Sequence, residues 1–376
     1  MPRHLFPFAM LPLLLCALMC CGSSGAGTSV EGARKESKEV ELFKQGETPV
    51  LAAGETSDKG RYQGVSSFFS HSLLDVNGVL VALAVGKHNG TQQSMGFDTW
   101  AKSNAYGADE KLKEDATWAK QEWKTQRVTK QLDEGNQRAS LFGPKALVKD
   151  SKIYLLLPTV AMTGSHAAAD VWDLALIVGE AAEQGRKAVA WREPRLLKST
   201  LVKEGQQLSW RELYAVGGAR GVAVGAATIL FPLAGTTNDG TGTLACTVVY
   251  SDDNGSSWKV HAAPVRPKDC DSATLLEWAG KLFMVTSGSY SWHGKVYGSS
   301  DKGKTWNEAA GPFARLLGDA YVLSMDHGGS DLITATIAGT SVLLYTQVSL
   351  SLYAPEGSSG RGTFRKAIKL WLSDGV

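Results

Sequence analysis

Cysteine is scarce in this chain, and what there is lies in the wrong place for a disulfide scaffold. Three of the five, Cys16, Cys20 and Cys21, fall in the first 21 residues. Only Cys246 and Cys270 remain beyond them, as one bridge or as two separate buried thiols. Neither has a C-x-x-C partner or a nearby histidine, so a metal site is not expected, and no sequence feature calls for a cofactor. Charge of one sign is also missing. The net charge of +2 gives no reason to expect a nucleic-acid partner. After the N-terminus there is no further apolar run of about 18 residues, so the mature chain is expected to lack a transmembrane segment. The C-terminal residues Leu370-Trp371-Leu372-Ser373-Asp374-Gly375-Val376 carry no hydrophobic tail for lipid attachment. Gly217-Gly218-Ala219-Arg220-Gly221 lacks the Lys-Ser/Thr that a phosphate loop needs and is better read as the start of a strand. His166, in a Gly/Ser loop without an acidic neighbour, does not suggest a hydrolase triad.

What is present begins with export. Arg3 and His4 precede an almost wholly apolar stretch at 5–21, and Ser24-Gly25-Ala26 places small residues at a cleavage site. The alternative is an uncleaved anchor of about 17 apolar residues, short for a bilayer. We read 1–26 as a signal peptide, 27–45 as a polar arm and 46–376 as one β domain, giving a secreted, extracellular chain. Asn89-Gly90-Thr91 and Asn254-Gly255-Ser256 are sequons. Asn89, in a polar glycine-containing stretch, is the better glycosylation candidate; Asn254 sits in a turn that has its own use for the side chain.

The 41 glycines and 11 tryptophans accompany short β-rich runs at 80–85, 152–157, 171–178, 221–230, 246–251, 281–286, 332–337, 342–346 and 367–372. Such runs, split by Gly, Asn, Asp or Ser, indicate an all-β sandwich, barrel or propeller. The stretch 108–131 is charged and helix-compatible, an insertion or an irregular hairpin. A repeat decides among the β architectures. Ser251-Asp252-Asp253-Asn254-Gly255-Ser256-Ser257-Trp258 fits S-x-D-x-G-x-x-W, and Ser299-Ser300-Asp301-Lys302-Gly303-Lys304-Thr305-Trp306 fits it again, with 48 residues between the tryptophans. That is the spacing of propeller blades. In this Asp box the aspartate accepts turn amides, the glycine takes a positive φ and the tryptophan packs the hairpin on its blade. Asp115-Ala116-Thr117-Trp118 reads as a decayed third copy. The motif specifies a scaffold and carries no catalysis.

Together with Val40-Glu41-Leu42-Phe43-Lys44, Asp75-Val76-Asn77-Gly78-Val79-Leu80-Val81-Ala82, Trp172-Asp173-Leu174, Leu276-Glu277-Trp278-Ala279-Gly280-Lys281-Leu282 and Leu370-Trp371-Leu372-Ser373-Asp374, the boxes resemble the trypanosomal trans-sialidase superfamily from Val40 onward. The resemblance implies a six-bladed sialidase-type β-propeller with a central sialic-acid site, followed in full-length members by a lectin-like sandwich. It also implies three arginines for the sugar carboxylate, a tyrosine nucleophile polarised by a glutamate, and an aspartate as acid/base. The tyrosine departs from the usual pair of carboxylates: an anionic sugar repels a carboxylate nucleophile, while a guanidinium fork binds it bidentately.

Position by position the resemblance places the first arginine at Phe69, the acid/base aspartate at Gln93, a second aspartate at Gly143 before Pro144, the glutamate at Ser272 and the second arginine at Ser287. Arg365 keeps the third arginine, either for carboxylate binding or as a surface residue of an edge strand. His71 stands where the family has a rim proline, as packing or as ligand contact. Tyr290, Trp292 and His293 form either a residual groove for stacking sugars or an exposed hairpin tip. The tyrosine's place lies after Val376, which implies a propeller incomplete at its C-terminus. Each lost guanidinium removes charge-assisted hydrogen bonds worth about 1.5–3 kcal/mol, and the missing nucleophile and acid/base remove the covalent route. The expectation is a catalytically inactive binding protein whose partners are host glycoconjugates or cell-surface receptors; the rivals are an active sialidase using other residues and a truncated product without a stable fold.

Overall fold

The computed structural model describes residues 42–44, 65–88, 96–105, 123–129, 132, 138–140, 143–163, 166–181, 188–201, 210–214, 220–261, 265, 270–288, 291–311, 314, 331–337, 339–353 and 363–373. These form five antiparallel sheets and one turn of helix.

The first sheet is β1 (Val65–Val76), β2 (Val79–His88), β3 (Gly96–Ala105) and β4 (Lys124–Arg127), in that order. The second holds β5 (Arg138–Ser140), β6 (Lys145–Lys149), β7 (Lys152–Thr163), β8 (His166–Ala181), β9 (Val189–Trp191) and β10 (Arg195–Leu196), built on the β7–β8 pair. Helix α1 (Lys198–Leu201) follows. The third has β11 (Trp210–Tyr214) and β12 (Val222–Val224) side by side along β13 (Thr228–Thr237), then β14 (Leu244–Ser251) and β15 (Lys259–Val260). The fourth is β16 (Ser272–Trp278), β17 (Lys281–Gly288), β18 (Ser291–Ser299) and β19 (Asn307–Glu308). The last has three strands, β20 (Asp331–Ile337), β21 (Thr340–Tyr353) and β22 (Thr363–Ser373). Four sheets of four or more strands, each wound outward from its first strands, make a β-propeller-like arrangement.

The sequence signals locate the strands because each run places β-branched and aliphatic side chains between turn residues. Strand β13 is buried at all ten positions, so it reads as a continuous apolar run where an alternating one would mark a half-exposed strand. Two expectations need correction. The run at 221–230 is two strands, since Gly225 turns the chain with a φ of 63° between β12 and β13. Part of the helix-compatible stretch at 108–131 is strand β4. It is pinned to the sheet by a buried ion pair, Arg127 Nε to Asp98 Oδ1 at 2.9 Å, and by the Thr129 hydroxyl donating to the same carboxylate oxygen at 2.9 Å. Buried charge is satisfied there by sheet pairing, which local composition does not reveal. The Asp115–Trp118 copy and all of 1–41 lie outside the described residues.

The core sits in the seams between sheets. Leu74, Val81, Leu83, Ile153, Leu155 and Ile177 fill the first seam; Leu156, Trp172, Leu174, Phe231, Val249 and Trp258 fill the second. Cys246, Val248, Cys270, Leu275 and Met284 fill the third, and Leu276, Val285, Leu332 and Leu343 the fourth. A disulfide joins Cys246 to Cys270, with Cα atoms 5.6 Å apart. The Trp172-Asp173-Leu174 motif is a seam device: the Trp172 indole donates to the Arg211 carbonyl of the next sheet at 2.5 Å, and the Asp173 carboxylate accepts the amides of Leu174, Leu197 and Lys198, capping α1.

The two repeated hairpins share one hydrogen-bond set. In the first, Ser251 Oγ donates to Asp253 Oδ1 at 2.7 Å and accepts the Gly255 amide at 2.8 Å, while Asp253 accepts the amide and hydroxyl of Ser257. In the second, Ser299, Asp301, Gly303 and Thr305 repeat it within about 0.1 Å. The aspartate accepts a turn amide as expected, and the serine takes further ones, those of Asp253 and Gly255 in the first hairpin. Gly255 and Gly303 hold φ of 85° and 83°, and a Cβ on Gly255 would meet the Tyr154 ring at 2.7 Å. At Asp253 partial desolvation acts upward and is outweighed by hydrogen bonds from Ser257, Ser251 and Ser256, which hold the carboxyl at about 2 against an ordinary 3.8. A depressed acid stabilises the fold fully above pH 3.8 and ceases to do so as the pH falls to about 2. Asp253→Asn is expected to flatten the acid limb of stability in that window, read as urea midpoints on either side of it; an unchanged acid limb would show that the exposed carboxylate carries no linkage.

Candidate functional site

The residues that the family resemblance singles out are spread over four of the sheets: Phe69 on β1, Gly143 just before β6, Ser272 on β16, Ser287 on β17 and Arg365 on β22. Phe69 lies on β1 opposite Val85, half-buried, with its ring edge-on to Phe97 at a centroid distance of 5.6 Å. Phe69 thus places an aromatic ring and no charge at this point of β1. Immediately after it the β1–β2 register shifts, and Ser70 takes a φ of 50° in the bulge. Phe43, from the segment before the first sheet, packs on Phe68 and on His71, at 5.2 and 6.4 Å between ring centroids. Burial holds the His71 imidazole below its ordinary pKa, which favours the packing role over ligand contact.

Gly143 is buried at the head of β6, against that bulge. A Cβ there would stand 2.5 Å from Ser70 Cβ and 2.8 Å from Ser70 Oγ, so this backbone has no room for any larger side chain, an aspartate included. One residue past Pro144, Lys145 begins β6 with 1% of its surface exposed and, among the described residues, no hydrogen-bond partner for its Nζ. Burial pushes its amine down to about 7.

A second pair forms two sheets away. Ser272 and Ser287, at the glutamate and second-arginine positions, are direct cross-strand partners on β16 and β17. Beside them is a polar group that sequence reasoning missed. The Thr236 hydroxyl donates to Glu212 Oε1 at 2.8 Å, and the half-buried Tyr214 phenol is pushed up to about 12 by burial and then by the charges of Glu212 and Asp271. Both carboxylates thus act on this one phenol. An E-x-Y pair on a five-residue strand gave no warning, because its significance depends on Asp271 arriving from the next sheet.

Arg220 has a structural use: its Nη2 donates to the Leu73 carbonyl of β1 at 3.3 Å, and the Gly221 amide donates to the Ala146 carbonyl of β6 at 3.1 Å. The glycine-rich stretch ends as a sheet-to-sheet connection, as its reading as a strand start implies. Arg365 pairs in register with Ser351 on β22, and Trp292 lies on β18. Gln93, Tyr290 and Asn89 lie outside the described residues. The structure thus brings together Phe69 and Ser70 with Gly143, and Ser272 with Ser287. Among the described residues no group of three or more His, Cys, Asp or Glu could hold a metal ion, and no helix is long and apolar enough to cross a membrane.

Comparison with known proteins places the fold in a family. The BNR repeat-like domain family matches residues 70–376. Sialidase 85-1.1 of Trypanosoma cruzi is 28% identical over 94% of this chain and 46% of its own length, and a second T. cruzi sialidase is 29% identical over 78% of this chain and 24% of its own. The structure of Trypanosoma rangeli sialidase in complex with sialic acid superimposes with a TM-score of 0.64 at 26% identity, covering 89% of this chain and 50% of that one. The chain spans half or less of the length of these relatives. It belongs to the BNR repeat-like domain family, as a trypanosomal sialidase/trans-sialidase-like member.

Proposed function

We propose that this chain is a secreted or surface member of the group that has lost sialidase chemistry and serves as a glycan-binding or adhesion protein, with host glycoconjugates or cell-surface receptors as its partners. In this reading 1–26 is removed, 27–45 is an arm and 46–376 belongs to a six-bladed ring. The observation that carries it is Gly143: the family's aspartate does not fit against Ser70 without moving the backbone. Phe69, Ser272 and Ser287 point the same way, since an apolar ring and two hydroxyls supply neither the charge nor the acid that hydrolysis of an anionic sugar requires.

A fluorogenic sialoside assay on the full chain tests this. No sialate release above the uncatalysed rate is expected, at any pH between the acid limb and neutrality. Release that Arg365→Ala abolishes would overturn the proposal in favour of an active sialidase. A glycan array, scored for binding lost in Arg365→Ala, then separates carboxylate-dependent binding from binding to neutral sugars.

A further inference from the structure

We propose that Asn254 accepts an N-linked glycan when the chain passes through the secretory pathway, a step that rests on the export reading above. The sequence alone argues the other way, because an asparagine at a hairpin tip commonly bonds its own turn. The structure removes that objection. Among the described residues, the side-chain bonds that hold this hairpin come from Ser251, Asp253, Ser256, Ser257, the Trp258 indole and Arg195 of the neighbouring sheet. Asn254 contributes only its main chain, with its amide donating to the Ala227 carbonyl at 3.0 Å and its carbonyl accepting the Tyr154 hydroxyl at 3.2 Å. Its side chain is exposed and makes no hydrogen bond to any described residue.

The sister hairpin supplies an independent control. Lys302 occupies the equivalent position with a φ of 60°, against 55° for Asn254, so the turn forms without an asparagine amide. A substituent on Nδ2 therefore leaves the hairpin bonds intact and projects from exposed neighbours, Asp253 and Ser256 among them. The Ser256 hydroxyl donates to the Asp253 carbonyl at 3.0 Å in the folded turn. That bond engages the sequon hydroxyl once the hairpin has formed, which favours transfer before closure.

In the transfer, Asn254 Nδ2 displaces a lipid-linked diphosphate from the anomeric carbon of an oligosaccharide. A C–N bond forms, the anomeric C–O bond breaks with its electron pair leaving on the diphosphate, and one amide proton passes to the catalysing base. The donor and its transferase belong to the host compartment.

The full chain is expressed in eukaryotic cells behind its own N-terminal segment and, separately, behind a heterologous secretory leader. Secreted protein is treated with an enzyme that releases N-linked glycans and converts the linked asparagine to aspartate, and the peptide containing position 254 is read by mass spectrometry. Conversion at 254 is expected in the wild type and in Asn89→Gln, and none in Ser256→Ala, which keeps the asparagine but breaks the sequon. Secreted protein with the Cys246–Cys270 bridge formed and Asn254 unmodified overturns the proposal. Conversion behind the heterologous leader alone supports the site and overturns the export reading instead.

Discussion

Lys145→Met is expected to stabilise the protein by about 3 kcal/mol at or below neutral pH, seen as a rise of about 5 °C in melting temperature. The reason is the surroundings of one amine. Lys145 shares a strand face with Leu147 and stands across the sheet from Leu156, both packed in the second seam. Among the described residues its Nζ has no hydrogen-bond partner, and burial holds its pKa at about 7 against an ordinary 10.5. Below pH 7 the folded state must keep a charged ammonium away from water, so the penalty is at its full size. Between pH 7 and 10.5 the folded amine is neutral while the unfolded one is still charged, and the penalty shrinks steadily to nothing at the upper value. Methionine is unbranched, similar in volume and needs no partner. The gain should therefore be largest in acid and fade toward pH 10.5. Urea titrations across that range check it; a gain independent of pH, or a loss, would show that the amine is charged and satisfied in the folded chain.

The two repeated tryptophans should behave unequally although their motifs are the same. Trp258 is 2% exposed, lies 5.8 Å from the Phe231 ring and donates Nε1 to the Gly255 carbonyl at 3.0 Å. It closes the second seam among Tyr154, Trp172 and Leu174. Trp258→Ala removes that volume and leaves a cavity that packed strands cannot fill, at a cost of about 3–5 kcal/mol. Trp306 is only partly buried, at the margin of the third seam, so Trp306→Ala should cost about 1–2 kcal/mol from lost apolar contact alone. Against a total stability of about 5–15 kcal/mol, the first change is severe and the second tolerable. Shifts in urea midpoint at unchanged slope measure both; equal costs would mean that each tryptophan serves only its own hairpin.

The same contrast separates local from tertiary information at the expected site. Phe69, Ser272 and Ser287 were legible as departures from the family pattern because side-chain chemistry is a property of the residue itself. Gly143 was legible only as a missing carboxylate. That it has no space for one comes from Ser70, held by a bulge on another sheet. Lys145 was not legible at all, since a lysine opening the alternating run Lys-Ala-Leu-Val-Lys reads as solvated. The Tyr214 phenol is raised by burial first, then by Glu212 and by Asp271, and only sheet packing brings Asp271 near.

By itself the sequence determined the all-β class and the repeated hairpins. These follow from periodicity, from turn residues with positive φ, and from side-chain chemistry, all of them short-range along the chain. Only the tertiary structure decided which tryptophan is core, which lysine is stranded without a partner, and whether an asparagine at a hairpin tip is used or free. Those outcomes depend on what the neighbouring sheet presents, because burial, hydrogen-bond satisfaction and electric field are set by groups distant in sequence.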